Sequence, residues 1–386
     1  MSKAKKTAAA LMLGAMLMTG ASAQETLKIG VVSALDGPGS EWGRGVDGGT
    51  KIAAKEINDA GGLKVGDKTY KLQVISYDDA YKAAQGVAAA TRLIEQDRVN
   101  FILGPLGSAS GLAVKPMYEQ NKVIGLVNTY TPQMLKDVNY IYRVLPTTSE
   151  IVEPMVGWLK KNRPDVKTVA VMSPNDQTGW DSQKAQIAAY KKFKFDVVGS
   201  ELFERSTRDF QPLLTRIMRQ KPDVIELDTT PPGTAGLIIR QAREMGYKGL
   251  FVKIGGPGVP EIVSAAGKDF AEGTVTYVAA DTANPKYKWL EQQYAGFYPP
   301  PMNAFNVFFY DGAHMLFKAI QKAGTVTDTD KVRKALLEVA PYDGMQGTLV
   351  WGGQALYGNN HQIQAPVFVG VIKDGKEVIV EKIDVK

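Results

Sequence analysis

The sequence predicts an α/β protein built as two doubly wound parallel-sheet lobes. Beyond residue 24, apolar β-rich runs of five to seven residues alternate with longer segments of helical period, and such alternation places helices on both faces of parallel sheets. The chain has 386 residues, enough for two ordinary domains. It holds no low-complexity linker, so it is expected to pass between the lobes more than once.

Leu27–Val32 opens the first lobe as a strand, and Val46, Gly49, Ala53 and Ile57 mark the buried face of the helix after it, which Gly61-Gly62 ends. Lys71–Tyr77 reads as a strand, 81–96 as a helix with Val87, Thr91 and Ile94 inward, Phe101–Leu103 as a short buried strand and Val123–Val127 as another. Pro116 falls inside the helical segment between them. After Arg143 a second set begins, with a helix near 153–161, strands at 168–172, 196–202 and 224–227, a helix at 234–245 closed by Gly246, and a strand at 250–254. Residues 274–278 resume a strand, and 303–323 form a long helix with Phe309, Ala313, Leu316 and Ile320 on one face. The end is β-rich, with strands near 348–350, 367–372 and 377–383 and a hairpin turn at Asp374-Gly375.

Lys3, Lys5 and Lys6 precede an apolar run from Ala8 to Met18, and Ala21-Ser22-Ala23 offers small residues for cleavage. Residues 1–23 are therefore expected to be a secretory signal peptide, because the run is too short to span a bilayer. Cysteine is absent, which excludes disulfides, thiol catalysis, zinc thiolates and a lipid-modified cysteine at the cleavage point. The expected product is a soluble, unlipidated periplasmic protein. Its formal charge of +6 includes the three leader lysines, and its basic residues are scattered among acidic ones. No nucleic-acid partner is expected.

Catalytic and cofactor signatures fail on inspection. His314 and His361 are the only histidines, the first in an apolar helix and the second in a polar loop, and no HExxH pattern exists. Gly107-Ser108-Ala109-Ser110-Gly111 has Ala109 where a nucleophile elbow needs serine. Gly37-Pro38-Gly39 with Gly43 starts too far beyond Val32 to hold a dinucleotide against a helix N-terminus. Asp78-Asp79 reads as a helix cap and solvated turn. No enzyme, cofactor or metal is expected.

What remains are loops at the carboxyl ends of strands, where parallel sheets bind ligands. Gly104-Pro105-Leu106-Gly107-Ser108 supplies backbone donors and a hydroxyl, Asn128-Thr129-Tyr130 groups an amide, a hydroxyl and a ring, and Trp42 stands alone in the first loop. Residues 175–180 and 228–233 occupy equivalent loops in the second lobe, and the two sets could face one another across a cleft.

These residues resemble the leucine/isoleucine/valine-binding branch of periplasmic solute-binding proteins over essentially the whole mature chain. The likeness rests on Lys28–Val32, Gly37-Pro38 with Trp42-Gly43, the run AAKEINDAGG from Ala53 to Gly62, Tyr77-Asp78-Asp79, and Gly104–Ser108. Asp209-Phe210, Ile239–Ala242 and Gly273 add to it. The resemblance implies a type I fold with a three-segment hinge, the first lobe comprising 24–144 and 272–350 and the second 145–271 and 351–386. It also implies capture of a solute by hinge closure and delivery to an ABC permease in the inner membrane, by a protein expected to be monomeric. On the family pattern Ser108 and Gly107 hold a ligand carboxylate, Trp42 packs over the solute, and Asn128, Thr129 and Tyr130 meet its head group.

The second lobe departs from the pattern. Thr178 stands where an aromatic residue precedes Gly179, Pro231 where leucine-type proteins carry a tyrosine, and Pro257 where an acidic residue clamps the ligand's ammonium. A buried amine without an anionic partner costs several kcal/mol, so an amino acid would need Asp228, Glu226 or Asp281 as its amine partner. The expected ligand is a small organic acid, aromatic ones included, or an amide-like solute, with a branched-chain amino acid as runner-up. A ligand-sensing module and an exported enzyme are the alternative functions.

Overall fold

The computed structural model describes residues 25–384, so the expected signal peptide, residues 1–23, lies outside the described residues. Sixteen strands are present among them. In chain order these are β1 (Glu25–Ser33), β2 (Leu63–Val65), β3 (Lys68–Asp78), β4 (Phe101–Leu103), β5 (Ile124–Val127), β6 (Ile141–Arg143), β7 (Thr168–Pro174) and β8 (Asp196–Phe203). They continue with β9 (Val224–Glu226), β10 (Leu250–Lys253), β11 (Val275–Val278), β12 (Tyr342–Gly344), β13 (Gly347–Gly352), β14 (Gln362–Gln364), β15 (Val367–Lys373) and β16 (Lys376–Ile383).

They form two sheets, ordered β12-β13-β14-β6-β5-β4-β1-β3-β2 and β16-β15-β11-β10-β9-β7-β8. The central pairs are parallel, with Ile29 opposite Val74, Phe101 opposite Ile124 and Val169 opposite Val224, as the near-continuous apolar strands require. The chain passes from the first sheet to the second after Arg143, returns after Val278, and crosses again after Gln364. Three crossings join two doubly wound lobes.

Two strands lie in the other sheet from the one expected. Residues 275–278 were expected in the first lobe, yet β11 pairs with β10 and β15 in the second sheet. Residues 362–364 were expected in the second, yet β14 pairs with β13 and β6 in the first. Partner choice is a non-local property that hydrophobic period does not encode.

Local chemistry explains the remaining geometry. The helix Ser40–Asp59 lies against the helix Phe305–Ala323 because Gly45 and Gly49 bring the backbones together: a Cβ on Gly49 would sit 2.3 Å from the Asn306 carbonyl oxygen. Asp374 and Gly375 both have positive φ, 51° and 70°, as a tight hairpin between β15 and β16 demands. The expected helix 81–96 is shorter, Ala83–Thr91 followed by a π-helical turn at Arg92–Gln96; Ala89, Ala90 and Leu93 are its buried apolar residues, and Val87 and Ile94, expected inward, are half-buried against the same core. His361 is buried rather than on the surface, stacked on Tyr142 with ring centroids 4.1 Å apart.

Candidate functional site

Seven strand ends and one helix start converge on a cavity of about 240 Å³ between the lobes, lined by Trp42, Tyr81, Leu106, Asn128, Tyr130, Thr178, Thr229, Gly256 and Phe305. Trp42, Tyr81, Leu106, Asn128 and Tyr130 follow β1, β3, β4 and β5, and Thr178, Thr229 and Gly256 follow β7, β9 and β10. Phe305 opens the helix Phe305–Ala323.

Each wall has a local cause. Trp42, expected in a loop, lies in the first turn of the helix Ser40–Asp59 and is buried. That turn rests on the end of β1, because a Cβ on Gly43 would stand 1.7 Å from the Ala34 carbonyl oxygen. Gly104 has φ +102° and leaves no room for a Cβ beside the Val32 carbonyl. Asp79, expected in a solvated turn, is fully buried. Its carboxylate accepts from the Tyr81 amide (2.9 Å) and the Ser110 hydroxyl (2.8 Å). Arg143, also fully buried, donates to the carbonyl oxygens of Thr129 (2.8 Å) and Tyr130 (3.3 Å) and so fixes the loop that carries Asn128.

The lobes touch directly around the cavity. The Gly256 amide donates to the Tyr130 hydroxyl (3.3 Å), the Ser108 amide to Thr178 Oγ1 (3.2 Å), and the Gly233 amide to Glu41 Oε2 (3.2 Å). Asn303 Nδ2 donates to Glu261 Oε1 at 2.9 Å and to the Pro257 carbonyl at 3.3 Å. This is a closed arrangement.

Several polar atoms on the wall have no protein partner: both amide atoms of Asn128, Trp42 Nε1 and Thr229 Oγ1. Buried polar groups are nearly always paired, so these atoms are available to a solute. Two cations sit behind the wall, with Lys253 Nζ 5.7 Å and the Arg205 guanidinium 5.9 Å from the Trp42 ring. Burial pulls the Lys253 ammonium down to about 8, opposed by Asp228, Glu226 and Glu41. Burial pushes the Glu226 carboxyl up to about 8, with the neighbouring Asp228 charge adding to the shift, and also raises Asp228. No carboxylate lies on the cavity wall itself.

Of the residues singled out in the sequence, Trp42, Asn128, Tyr130 and Thr178 line this space. The others stand off it. Ser108 is buried with its hydroxyl accepting from the Thr131 amide (3.2 Å), and Gly107 lies beneath the Tyr81 ring, which a Cβ there would meet at 3.2 Å. Thr129 turns inward to the Pro105 carbonyl (3.3 Å). Pro231 borders a separate outer hollow with Asp36, Arg205 and Arg208, and the Pro257 carbonyl accepts from Asn303 Nδ2 of the other lobe. Asp228 gives one oxygen to Thr148 Oγ1 (2.7 Å) and Gln186 Nε2 (2.9 Å), while its Oδ1 is buried without a partner. Tyr81 and Phe305 were missed. The Asp-Asp pair before Tyr81 was a usable signal for a sharp turn; nothing in its apolar helix set Phe305 apart.

Comparison with known proteins agrees with this architecture. A family model described as periplasmic binding protein matches residues 26–377. The Leu/Ile/Val-binding protein BraC3 of Rhizobium johnstonii is 28% identical, with 86% of this chain and 88% of that protein covered. The leucine-, isoleucine-, valine-, threonine- and alanine-binding protein of Pseudomonas aeruginosa is 27% identical, covering 81% and 83%. Among solved structures, a leucine-binding protein from Thermotoga maritima superposes with a TM-score of 0.80 at 23% identity, covering 93% and 99% of the two chains. A Rhodopseudomonas palustris solute-binding protein of an ABC transporter, in complex with 3,4-dihydroxybenzoic acid, gives 0.78 at 24%, covering 93% and 97%. Matched over nearly its whole described length and folded as two lobes with three crossings, the chain belongs to the periplasmic binding proteins and has their type I fold.

Proposed function

We propose that this protein is the exported, periplasmic solute-capturing component of an ABC importer, and that its solute is a small organic acid with an aromatic or otherwise flat apolar body. One observation carries the ligand class. The cavity pairs four aromatic side chains, Trp42, Tyr81, Tyr130 and Phe305, with unpartnered polar atoms on Asn128, Trp42 and Thr229, and its wall holds no carboxylate. Trp42 Nε1, Asn128 Nδ2 and the Thr229 hydroxyl would donate to a carboxylate, and Asn128 Oδ1 would accept from a ring hydroxyl.

The solute enters between open lobes and closure desolvates it, so selectivity comes from groups that only a matching ligand pairs. No bond is broken, and the closed form presents both lobes to a membrane permease. The 3,4-dihydroxybenzoic acid complex of the R. palustris protein supports this ligand class by fold.

A branched-chain amino acid is the second reading, favoured by the names of the curated relatives and by the unpartnered Oδ1 of Asp228. Calorimetric titration with 4-hydroxybenzoate, leucine and a short-chain amide separates the readings. Binding of the benzoate with no heat from leucine is the expected result, and tight leucine binding would reverse the assignment.

A further inference from the structure

Arg205 leaves the second lobe in the loop after β8 and is nearly buried, its side chain 8% exposed. Three of its own lobe's acceptors hold it: both oxygens of Asp176 take Nε and Nη2, and the Thr229 carbonyl takes Nη1 (3.2 Å). So anchored, the guanidinium lies 4.4 Å from the ring centre of Tyr81 and 5.9 Å from that of Trp42. Both rings belong to the first lobe and both line the cavity. Arg205 itself borders the outer hollow with Asp36, Ser40 and Glu41, and therefore stands between that hollow and the enclosed space.

The backbone on both sides of this contact is set in an uncommon conformation. Tyr81 has φ +59° and Thr229 φ +54°, left-handed values that non-glycine residues adopt at a cost and that concentrate at functional sites. Asp79 holds the Tyr81 turn through its amide, and the ring fits only because Gly39 and Gly107 lack side chains: a Cβ on Gly39 would meet it at 2.8 Å. The Tyr81 hydroxyl then reaches Thr178 Oγ1 of the second lobe at 3.3 Å.

We infer that Tyr81 and Arg205 form an interlobe clamp that sets the release rate of the captured solute. Arg205 stays fixed on Asp176, and the Tyr81 ring is brought against its guanidinium only when the lobes close. The cation–π pair adds to closed-state stability without contributing to the first encounter. Arginine suits this role because its guanidinium can pair with a carboxylate along its edge while offering a face to a ring. The inference rests on the solute-capture reading above.

A double-mutant cycle tests it, with association and dissociation rates of 4-hydroxybenzoate, and separately of leucine, followed by stopped flow. Tyr81→Leu and Arg205→Lys should each raise the dissociation rate about 3- to 30-fold, the range of a desolvated cation–π contact, and leave association nearly unchanged. The double variant should release no faster than the faster single, and Tyr81→Phe, which keeps the ring and loses only the hydroxyl contact with Thr178, should release more slowly than Tyr81→Leu. Multiplicative single effects, or Tyr81→Phe as fast as Tyr81→Leu, would overturn the clamp and leave the functional reading standing. A wild type that binds neither probe would overturn that reading and the clamp with it.

Discussion

Arg143 donates through Nε to Gln362 Oε1 at 2.5 Å, joining the residue before the first lobe crossing to the strand before the third. The same guanidinium reaches the carbonyls of Thr129, Tyr130 and Thr131 and lies 5.0 Å from the Tyr357 ring centre. One side chain therefore couples the hinge to the ligand loop.

Replacing it isolates that coupling. Arg143→Met keeps much of the volume but strands several buried carbonyls and the Gln362 side chain, at a cost of about 1–3 kcal/mol per unsatisfied group. A loss of about 3–5 kcal/mol is expected in a urea unfolding curve, beyond an ordinary surface substitution. A midpoint within error of wild type would mean that the loop is held by other contacts.

Asn128 should behave in the opposite way. Both of its amide atoms are buried and unpartnered within the protein, so the free protein carries a desolvation cost that a solute would remove. Asn128→Ala is expected to lower solute affinity about tenfold or more while leaving the melting temperature of the free protein unchanged or higher. Concurrent loss of stability and affinity would place Asn128 among the structural residues instead.

These two residues mark how far sequence reading extends. Consecutive apolar strands such as Leu27–Val32 and Phe101–Leu103 declare themselves by composition, and so do the loops that follow them, which is why Asn128 and Tyr130 stood out. Arg143 did not, because its value lies in partners from residues 129–131 and 362 that only the folded chain assembles. Trp42 was legible as a cavity-facing ring, but Gly37, Gly39 and Gly43 disguised the start of its helix as loop. Tyr81 was hidden by a helical period that runs back through it, while its left-handed backbone is imposed by Asp79. For β11 and β14 the strand was readable in one case and neither sheet was, since pairing is settled by distant edges.

Gly43 provides a sharp steric test. With only 1.7 Å between a built Cβ and the Ala34 carbonyl oxygen, Gly43→Ala must lift the helix start away from β1 and carry Trp42 with it. Such overpacking costs about 1–3 kcal/mol or more. Thermal unfolding should show the loss, and Trp42 should move out of register with Phe305, now 5.9 Å away between ring centres, weakening solute binding as well. Gly61→Ala serves as the comparison: its φ of +103° strains a side chain but a built Cβ meets no atom within 4 Å, so it should lower stability with affinity kept.

Closure should depend on pH through Glu261. This second-lobe carboxyl accepts from Asn303 of the first lobe through Oε1, while Oε2 is buried without a partner. Burial pushes it up to about 7, the Asn303 bond opposing and Glu41 adding to the rise. In the open form its first-lobe neighbours withdraw and its titration returns toward the ordinary glutamate value near 4.3. A group raised in the closed form takes up a proton on closing, so its stabilising contribution is complete below the open-form value and disappears as pH rises through about 7. Glu41, also raised by burial and also bridging the lobes, acts in the same direction. Solute affinity should therefore fall as pH rises from about 4.3 to about 7, the window between those two values, and level off above it. In Glu261→Gln, which keeps the amide-sized side chain and cannot ionise, the dependence should flatten. Calorimetry in buffers of different ionisation enthalpy reads the same proton directly: uptake on binding near pH 6 is the expected sign, and proton release would show that Glu261 remains ionised in the closed state.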